Sequence, residues 1–289
     1  IDLNFHGMLI IADSGSTKAD WAFLRNDGQT LEVSTKGFNP VFHTVDFISE
    51  EMDNRIDHQI DRDQEATLFF YGSGCWDFPR KEIIRQALKP IFPNAEIEVH
   101  HDLLGAARAS CGNQPGISCI LGTGSNSCSY DGQNVVGNVT NLGYLLGDEG
   151  SGSNLGKYLI KAYFYNEMPL ALKQAFQELV PGGKSEILDK LYGPGPANLY
   201  LSSFATFASQ YKEHPFIQSL IKASFTEFLT RHVLKYDHFL QYPVNFVGSI
   251  AFHFQDLLAE SVQDLNLNMG NVIRKPIQQL VSYHQHFLT

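Results

Sequence analysis

The sequence predicts an α/β protein of two related domains, the second rich in helix. Strand and helix patterns alternate over roughly the first hundred residues. A local pattern also recurs after about 105 residues: apolar strand, turn of Gly, Ser and Thr, second strand, then Asp-Gly-Gln. At 289 residues the chain is long enough for two domains of ordinary size.

The first copy opens with apolar runs at Met8 to Ala12 and Ala19 to Leu24, joined by DSGSTK. After the turn signal Asn26-Asp27-Gly28-Gln29, Thr30 to Thr35 reads as a third strand. Periodicity then predicts a helix from about Phe42 to Ile60, a strand at Ala66 to Tyr71, a helix at Arg80 to Leu88 and a strand at Glu96 to His100. The second copy has an apolar strand at Gly116 to Leu121, the turn GTGSNS, a strand at Cys128 to Tyr130 and Asp131-Gly132-Gln133. Ser153 to Tyr242 reads as mostly helical, interrupted at Pro194-Gly195-Pro196. Val244 to Val247 is a strand, Gly248-Ser249 a tight turn, Ile250 to Ser261 a helix, and Pro276 to His286 the last helix. The expected domains are residues 1–115 and 116–274, with 275–289 returning to the first.

Composition excludes several classes. The chain is 43% hydrophobic and 18% charged, as expected of a folded protein. Its net charge of −10 is unbroken by any Lys/Arg run, so no nucleic-acid partner is expected. No apolar run approaches the roughly 20 residues of a membrane helix, and IDLNFHGM lacks signal-peptide character; the expectation is a soluble cytoplasmic protein without a membrane partner. Cys75, Cys111, Cys119 and Cys128 have no CxxC spacing and read as free thiols, Cys119 and Cys128 as core residues. The Asn138-Val139-Thr140 sequon carries no weight without secretion.

Residues Leu145 to Lys157, LLGDEGSGSNLGK, look at first like a phosphate-binding loop. That motif requires a Gly where Ser151 stands and a Ser or Thr where Tyr158 stands, and Asp148 and Glu149 would repel bare phosphate. The stretch suits hydroxyls or a metal better. In ADSGSTK, small residues let backbone N–H groups approach an anion. Ser14, Ser16 and Thr17 add hydroxyls, Lys18 adds charge, and Asp13 at the strand end fits Mg²⁺ through water; an ordinary hairpin turn fits equally. Asp102, in HHDLLGAARA, follows a strand and precedes a helix. Taken alone it suits capping better than catalysis, but beside a phosphoryl acceptor it could take a hydroxyl proton. GTGSNS offers a second such turn, with Thr123, Ser125 and Asn126 as hydrogen-bonding side chains. In FVGSIA, Gly248 could let a base or ribose pass the backbone.

Together ADSGSTKAD, HHDLLGAARA, ILGTGSNS, GYLLGDEGSGSNLGK and FVGSIA resemble the sugar kinase, Hsp70 and actin superfamily. The closer resemblance is to its BadF/BadG/BcrA/BcrD ATPase branch, which includes the N-acetylglucosamine kinases. The resemblance spans residues 12 to 251. It implies two ribonuclease H-like (actin-like ATPase) domains around a central cleft, with ATP as co-substrate, Mg²⁺, a small sugar and, as in many relatives, a homodimer. It implies phosphate contacts at Gly15, Ser16, Thr17, Lys18, Gly122, Thr123 and Gly124, adenosine contacts at Gly248 and Ser249, and Asp13 near Mg²⁺. The catalytic base falls on Asp102, and sugar contacts fall on Asn39, Ser73, Asp102, Thr123, Asn126, Asp148, Gly150 and Ser151. The chain departs from the family at Val247, where the adenosine motif usually has a first of two glycines. His100 and His101 read as structural.

The implied reaction is transfer of the γ-phosphoryl group of Mg-ATP to the 6-hydroxyl of N-acetylglucosamine. Two other readings stand beside it. One is an ATP-driven activator of 2-hydroxyacyl-CoA dehydratases or benzoyl-CoA reductases, whose iron–sulfur cluster needs closely placed thiolates. The other is a non-catalytic sensor of sugar and nucleotide.

Overall fold

A computed structural model describes residues 7–15, 17–56 and 60–287. The elements of the first hundred or so residues are β1 (Met8–Ser14), β2 (Lys18–Leu24), β3 (Thr30–Lys36), α1 (Val45–Arg55), β4 (Ala66–Gly72), α2 (Phe78–Leu88), β5 (Ala95–His101) and α3 (Asp102–Cys111). Then come β6 (Gly116–Leu121), β7 (Ser125–Tyr130), β8 (Val135–Gly137), α4 (Gly143–Leu146), α5 (Gly152–Phe164), α6 (Leu170–Gln177), α7 (Gly183–Tyr192), α8 (Ala197–Ser203), α9 (Ala205–Gln210) and α10 (Pro215–Arg231). The chain continues through β9 (Val244–Val247), α11 (Ser249–His253), α12 (Gln255–Asp264), β10 (Met269–Ile273) and α13 (Ile277–Phe287). It forms two units. The first runs to Gln114 and adds Asp131–Val135 and the segment from Lys275; the second comprises Pro115–Tyr130 and Val136–Arg274.

In the first unit, MLIIADS is apolar on both faces because β1 is the central strand of a sheet ordered β3-β2-β1-β4-β5. Alternation divides its side chains. Met8, Ile10 and Ala12 join Trp21, Phe23, Leu68 and Phe70 under α1 and α2, which contribute Ile48, Met52, Ile84 and Leu88. Leu9 and Ile11 face the other way with Phe69 and Tyr71, covered by α13 through Ile277, Leu280 and Val281. Each large side chain fully buried here contributes about 1.5–3 kcal/mol.

The α13 helix is also fixed by a polar contact. Arg108 Nη1 donates to Tyr71 Oη at 2.7 Å, and Tyr71 Oη lies 2.8 Å from His284 Nε2. Burial, then the nearby Arg108 charge, push the His284 pKa down to about 3, while burial pushes the Tyr71 phenol up to about 12. The imidazole is therefore neutral near pH 7, and Tyr71 can donate to it while accepting from Arg108. The His284 ring also stacks on Phe69, with centroids 3.9 Å apart.

The second sheet is ordered β10-β9-β6-β7-β8. Read from β8, it repeats the first sheet strand for strand: β1 and β2 are antiparallel, as are β6 and β7, and β1 and β4 are parallel, as are β6 and β9. The parallel β4/β5 pair likewise matches β9/β10. The expectation of a duplicated α/β fold is met in topology as well as in motif. Ile117, Cys119, Leu121 and Phe246 pack with Leu155, Leu159, Phe176, Phe225 and Phe228 in the second core. None of the four cysteines is joined in a disulfide, and Cys75, Cys119 and Cys128 are buried. Among the described residues no helix is long and apolar enough to cross a membrane.

Several boundaries differ from expectation for local reasons. Helix α1 starts at Val45 because Thr44 caps it, its hydroxyl accepting from Phe47 N–H, and stops at Ile56, which turns extended. The second turn spans only residues 122–124, because Ser125, Asn126 and Ser127 already pair with Leu121, Ile120 and Cys119 in β7. The helix expected from Ile250 is two helices, separated at Phe254, whose backbone (φ −115°, ψ 28°) leaves the helical region.

Glycines in the SGSNLGK stretch serve helix packing. A Cβ on Gly152 would lie 2.3 Å from Ser202 Oγ, and one on Gly156 would lie 2.0 Å from the Leu201 carbonyl oxygen. Spaced four apart on α5, these glycines let α8 approach at backbone distance. Gly156→Ala is expected to cost at least about 1–3 kcal/mol through overpacking. Thermal denaturation would show a lowered midpoint; an unchanged one would mean that α5 and α8 separate without cost.

Candidate functional site

At the C-terminal end of β1 the hairpin to β2 closes with Gly15 N–H donating to Lys18 O at 3.0 Å. Gly15, Thr17 and Lys18 are exposed, while Ser16 lies outside the described residues. Ser14, read from the sequence as a hydroxyl donor to phosphate, is instead fully buried. Its Oγ accepts from Phe38 N–H at 2.8 Å and donates to Phe38 O at 3.2 Å, tying the strand end to the segment that holds Asn39. The Lys18 ammonium pairs with Asp20 at 2.7 Å, and Lys275 reaches the other oxygen of Asp20 at 3.5 Å. Asp13 has no hydrogen bond or ion pair among the described residues. Burial, then the charges of Asp102 and Asp20, push its pKa from 3.8 up to about 7.

Asn39 and Ser73 sit on neighbouring loops. Asn39 is buried and its Oδ1 accepts from Val41 N–H at 2.9 Å, leaving its Nδ2 without a partner among the described residues. Gly74, at φ +82°, leaves room for that side chain: a Cβ there would lie 2.3 Å from Asn39 Oδ1. Ser73 N–H donates to Ser14 O at 2.9 Å, continuing the β4/β1 register past the strand end.

Asp102 is the first residue of α3, immediately after β5. The capping role that the sequence suggested for it belongs to His101, whose Nδ1 accepts from Leu103 N–H at 3.2 Å. The same nitrogen lies 2.9 Å from Asp102 Oδ1. It can bond that oxygen only when it carries a proton, and it then gives up the Leu103 bond, so the cap and the Asp102 contact are alternatives; Oδ1 is otherwise buried without a partner among the described residues. Burial opposes a charged His101, but the Asp102 charge and contact outweigh it, and the His101 pKa lies above its ordinary value. The two histidines before the base candidate, read from the sequence as structural, thus have specific partners the sequence did not reveal; His100 pairs with Glu98 at 3.0 Å.

In the second unit the central feature is where α5 begins. Gly152 N–H donates to Gly122 O at 2.9 Å, Ser153 N–H to Thr123 O at 3.1 Å, and Asn154 N–H to Ser151 Oγ at 3.2 Å. The N–H groups that a phosphate-binding loop would offer to an anion are spent on the 122–124 turn and the Ser151 cap. Lys157 Nζ donates to Tyr144 O at 2.8 Å and Gly147 O at 3.3 Å, and Tyr158 Oη donates to Glu227 at 2.6 Å. No phosphate-binding loop operates here, in agreement with the sequence reading.

The same docking brings Asp148 against the turn. Asp148 has φ +58°, is buried, and its Oδ1 accepts from Ser125 N–H at 3.0 Å and Asn141 Nδ2 at 2.8 Å. A Cβ on Gly124 would lie 2.9 Å from both carboxylate oxygens, so glycine is required for this approach. Desolvation raises the Asp148 pKa despite those bonds and the Lys157 charge. Asn126, on β7, is half-buried, and its Oδ1 accepts from Ser127 N–H at 2.9 Å. The next acid, Glu149, is buried and held away from the turn by His232 Nε2 at 3.2 Å and Arg231 Nε at 3.6 Å.

Gly248, at φ +125°, has an internal reason to be glycine: a Cβ would lie 2.4 Å from Leu121 O, beside the start of the same turn. Ser249 opens α11 next to it. In the second unit Gly122, Thr123, Gly124, Asp148, Gly150, Ser151 and Gly248 thus converge around one turn, with Asn126 two residues along β7. In the first, Asp13 and Asp102 interact electrostatically, and Asn39 and Ser73 connect through Ser14. The sequence missed His101, Asn141 and Lys157, whose partners are set by loop geometry.

No family model and no curated protein matches the chain. Among solved structures it is similar to a "putative N-acetylglucosamine kinase" from Porphyromonas gingivalis, at 37% identity and TM-score 0.89, over 96% of this chain and 99% of that one. A second structure so described, from Chromobacterium violaceum, has 17% identity and TM-score 0.69 over 96% and 98% of the two chains. The ethanolamine utilization protein EutJ from Carboxydothermus hydrogenoformans has 13% identity and TM-score 0.53 over 96% and 88%; these two likenesses show the fold alone. With its duplicated ribonuclease H-like topology and its likeness to the first of these over nearly the whole length of both, the chain belongs to the N-acetylglucosamine kinase-like family of the sugar kinase and actin-like ATPase superfamily.

Proposed function

We propose that this protein transfers the γ-phosphoryl group of Mg-ATP to the 6-hydroxyl of an amino sugar, with N-acetylglucosamine the preferred acceptor. The observation that carries the reading is Asp102. It is a partly exposed carboxylate at a strand end whose Oδ1 is buried against a titratable imidazole, while its Oδ2 has no hydrogen-bond partner among the described residues and can take a hydroxyl proton. In this reading Asp102 accepts the acceptor hydroxyl's proton as the oxygen attacks phosphorus in line. His101, protonated, stabilises the ionised base and holds its orientation.

The sugar is held by side chains with one face pinned internally and one left open. Asn39 and Asn126 each use Oδ1 within the protein and offer an amide N–H, while Asp148 Oδ2 accepts a sugar hydroxyl. Thr123, Ser73, Gly150 and Ser151 complete the contacts. The turns at Gly15–Lys18 and Gly122–Gly124 contribute backbone N–H groups to the phosphates, other than those of Gly15 and Gly122, which donate to Lys18 O and Gly124 O within the turns, and Gly248 and Ser249 flank the adenosine.

The residues present fit a Mg²⁺ ion carried in with the nucleotide. Asp13 is an oxygen donor with no internal cation, whose pKa is raised by burial and then by the charges of Asp102 and Asp20; a divalent ion offsets both. Among the described residues no cluster of three or more His, Cys, Asp or Glu stands ready to hold a metal. Asp13 would therefore hold the ion through water, the remaining ligands being phosphate oxygens and solvent. Bound Mg²⁺ would supply charge neutralisation at the transferring phosphoryl group.

The Asp13 shift gives a pH-dependent stability with a definite sign. Between pH 3.8 and about 7 the unfolded chain has released this proton while the folded chain retains it, so stability falls as pH rises through that window. Asp13→Asn should raise the thermal midpoint of the metal-free protein at pH 8 and leave it unchanged near pH 4. An equal effect at both would refute the assignment of a strained carboxylate.

Activity is tested by ADP release from Mg-ATP alone and with N-acetylglucosamine, glucosamine, N-acetylmannosamine or glucose. The expected result is strong stimulation by N-acetylglucosamine; sugar-independent hydrolysis or none would overturn the kinase reading. Asp102→Asn should lower kcat by about 10²-fold or more with the thermal midpoint unchanged, and near-normal turnover would remove Asp102 from the role of base.

A further inference from the structure

The segment Asn138–Asn141 lies outside every motif that marks this family, yet both of its asparagines bond to side chains of the proposed sugar set. Asn138 Nδ2 is surrounded by three acceptors: Asn126 Oδ1 at 3.0 Å, Ser127 O at 2.7 Å and Val139 O at 3.3 Å. That arrangement fixes its amide, since a flip would set its oxygen against three oxygens. Asn126 Oδ1 also accepts from Ser127 N–H, so both acceptor positions on that oxygen are used and Asn126 Nδ2 has no partner among the described residues.

Asn141 is fixed as firmly. Its Oδ1 accepts from Gly143 N–H at 2.5 Å, while its Nδ2 donates to Asp148 Oδ1 at 2.8 Å and to Ser125 O. With Ser125 N–H on the same carboxylate oxygen, the carboxylate plane is set and Oδ2 has no partner among the described residues. The charged groups felt by Asp148 are Lys157 and Glu149. Lys157 is tied to the Tyr144 and Gly147 carbonyls, and Glu149 to Arg231 and His232, so Asn141 is the side chain that orients Asp148 directly.

We propose that Asn138 and Asn141 are positioning residues for acceptor recognition: Asn138 locks Asn126 to present a hydrogen-bond donor, and Asn141 locks Asp148 to present an acceptor. The inference rests on the sugar-kinase reading. A free asparagine amide shows either of its nearly isosteric faces, and a free carboxylate rotates. Locking both fixes a donor–acceptor pattern that a sugar must match. The locks do not touch nucleotide or the base, so they act on sugar affinity.

The test uses isosteric variants of the full chain. Asn141→Asp keeps the Gly143 bond and the side-chain volume but sets carboxylate against carboxylate; Asn138→Asp sets an oxygen against Asn126 Oδ1 and frees that amide to flip. Sugar KM, ATP KM, kcat and thermal midpoint are measured for both variants and wild type. The expected result is a sugar KM raised by about tenfold or more in each, with ATP KM and kcat within about twofold. The Asn141→Asp defect should shrink at lower pH, where a proton shared with Asp148 restores a donor. Sugar KM within about twofold of wild type in both variants would overturn the inference while leaving the kinase reading intact. So would a KM that rises only as the thermal midpoint falls, which marks a structural role. Should wild type phosphorylate no sugar, the kinase reading falls and this inference falls with it.

Discussion

Much of the second unit depends on the hydrogen bonds by which the first N–H groups of α5 reach the carbonyls of Gly122 and Thr123. A helix N-terminus must find acceptors, and here they come from the β6–β7 turn instead of an anion. That choice presses residues 148–151 against the turn, requires glycine at 124 and 150, and makes Gly152 and Gly156 the contact to α8. It also leaves Lys157 free to fold back onto Tyr144 and Gly147 carbonyls. A stretch that resembles a phosphate loop by composition is thus a joint between sheet and helices.

The fold was legible where structure is local. Continuous apolar runs at Met8 and Gly116 mark central strands because those strands are buried on both faces, and the repeated turn pattern announces the repeated topology. The strands β8 and β10 were not legible: VVG and MGNVI are short, only partly buried and contain glycine, so they pair because β7 and β9 offer edges to them. The break at Phe254 has no breaker residue and is set by tertiary packing, as Phe254 is nearly fully buried.

In the candidate site, the sequence picked out residue types at strand ends, and the structure places Asp13, Asp102 and Asp148 at such ends or beside such turns. It could not say which atoms are already spent. Ser14 looks like its neighbours in DSGSTK but points inward to Phe38, because strand alternation continues to the last residue of β1. His101 and not Asp102 caps α3, a distinction that depends on ring placement at a single junction. Asn138 reads only as the start of an idle sequon and Asn141 carries no signal, since their partners at 126, 125 and 148 meet them through loop geometry without periodicity.

Lys275 and α13 complete the first unit from the far end of the sequence: Lys275 joins Lys18 at Asp20, and His284 closes over Tyr71 and Phe69. All of the second unit's sequence lies between these pieces and the sheet they pack on. During synthesis the earlier-made half therefore has only α3 to cover the face of Leu9, Ile11, Phe69 and Tyr71 until residues 277–287 emerge, while the later-made half already has its complete sequence. The order in which the two halves mature is the reverse of the order in which they begin, and in the interval part of an apolar sheet face lacks its cover.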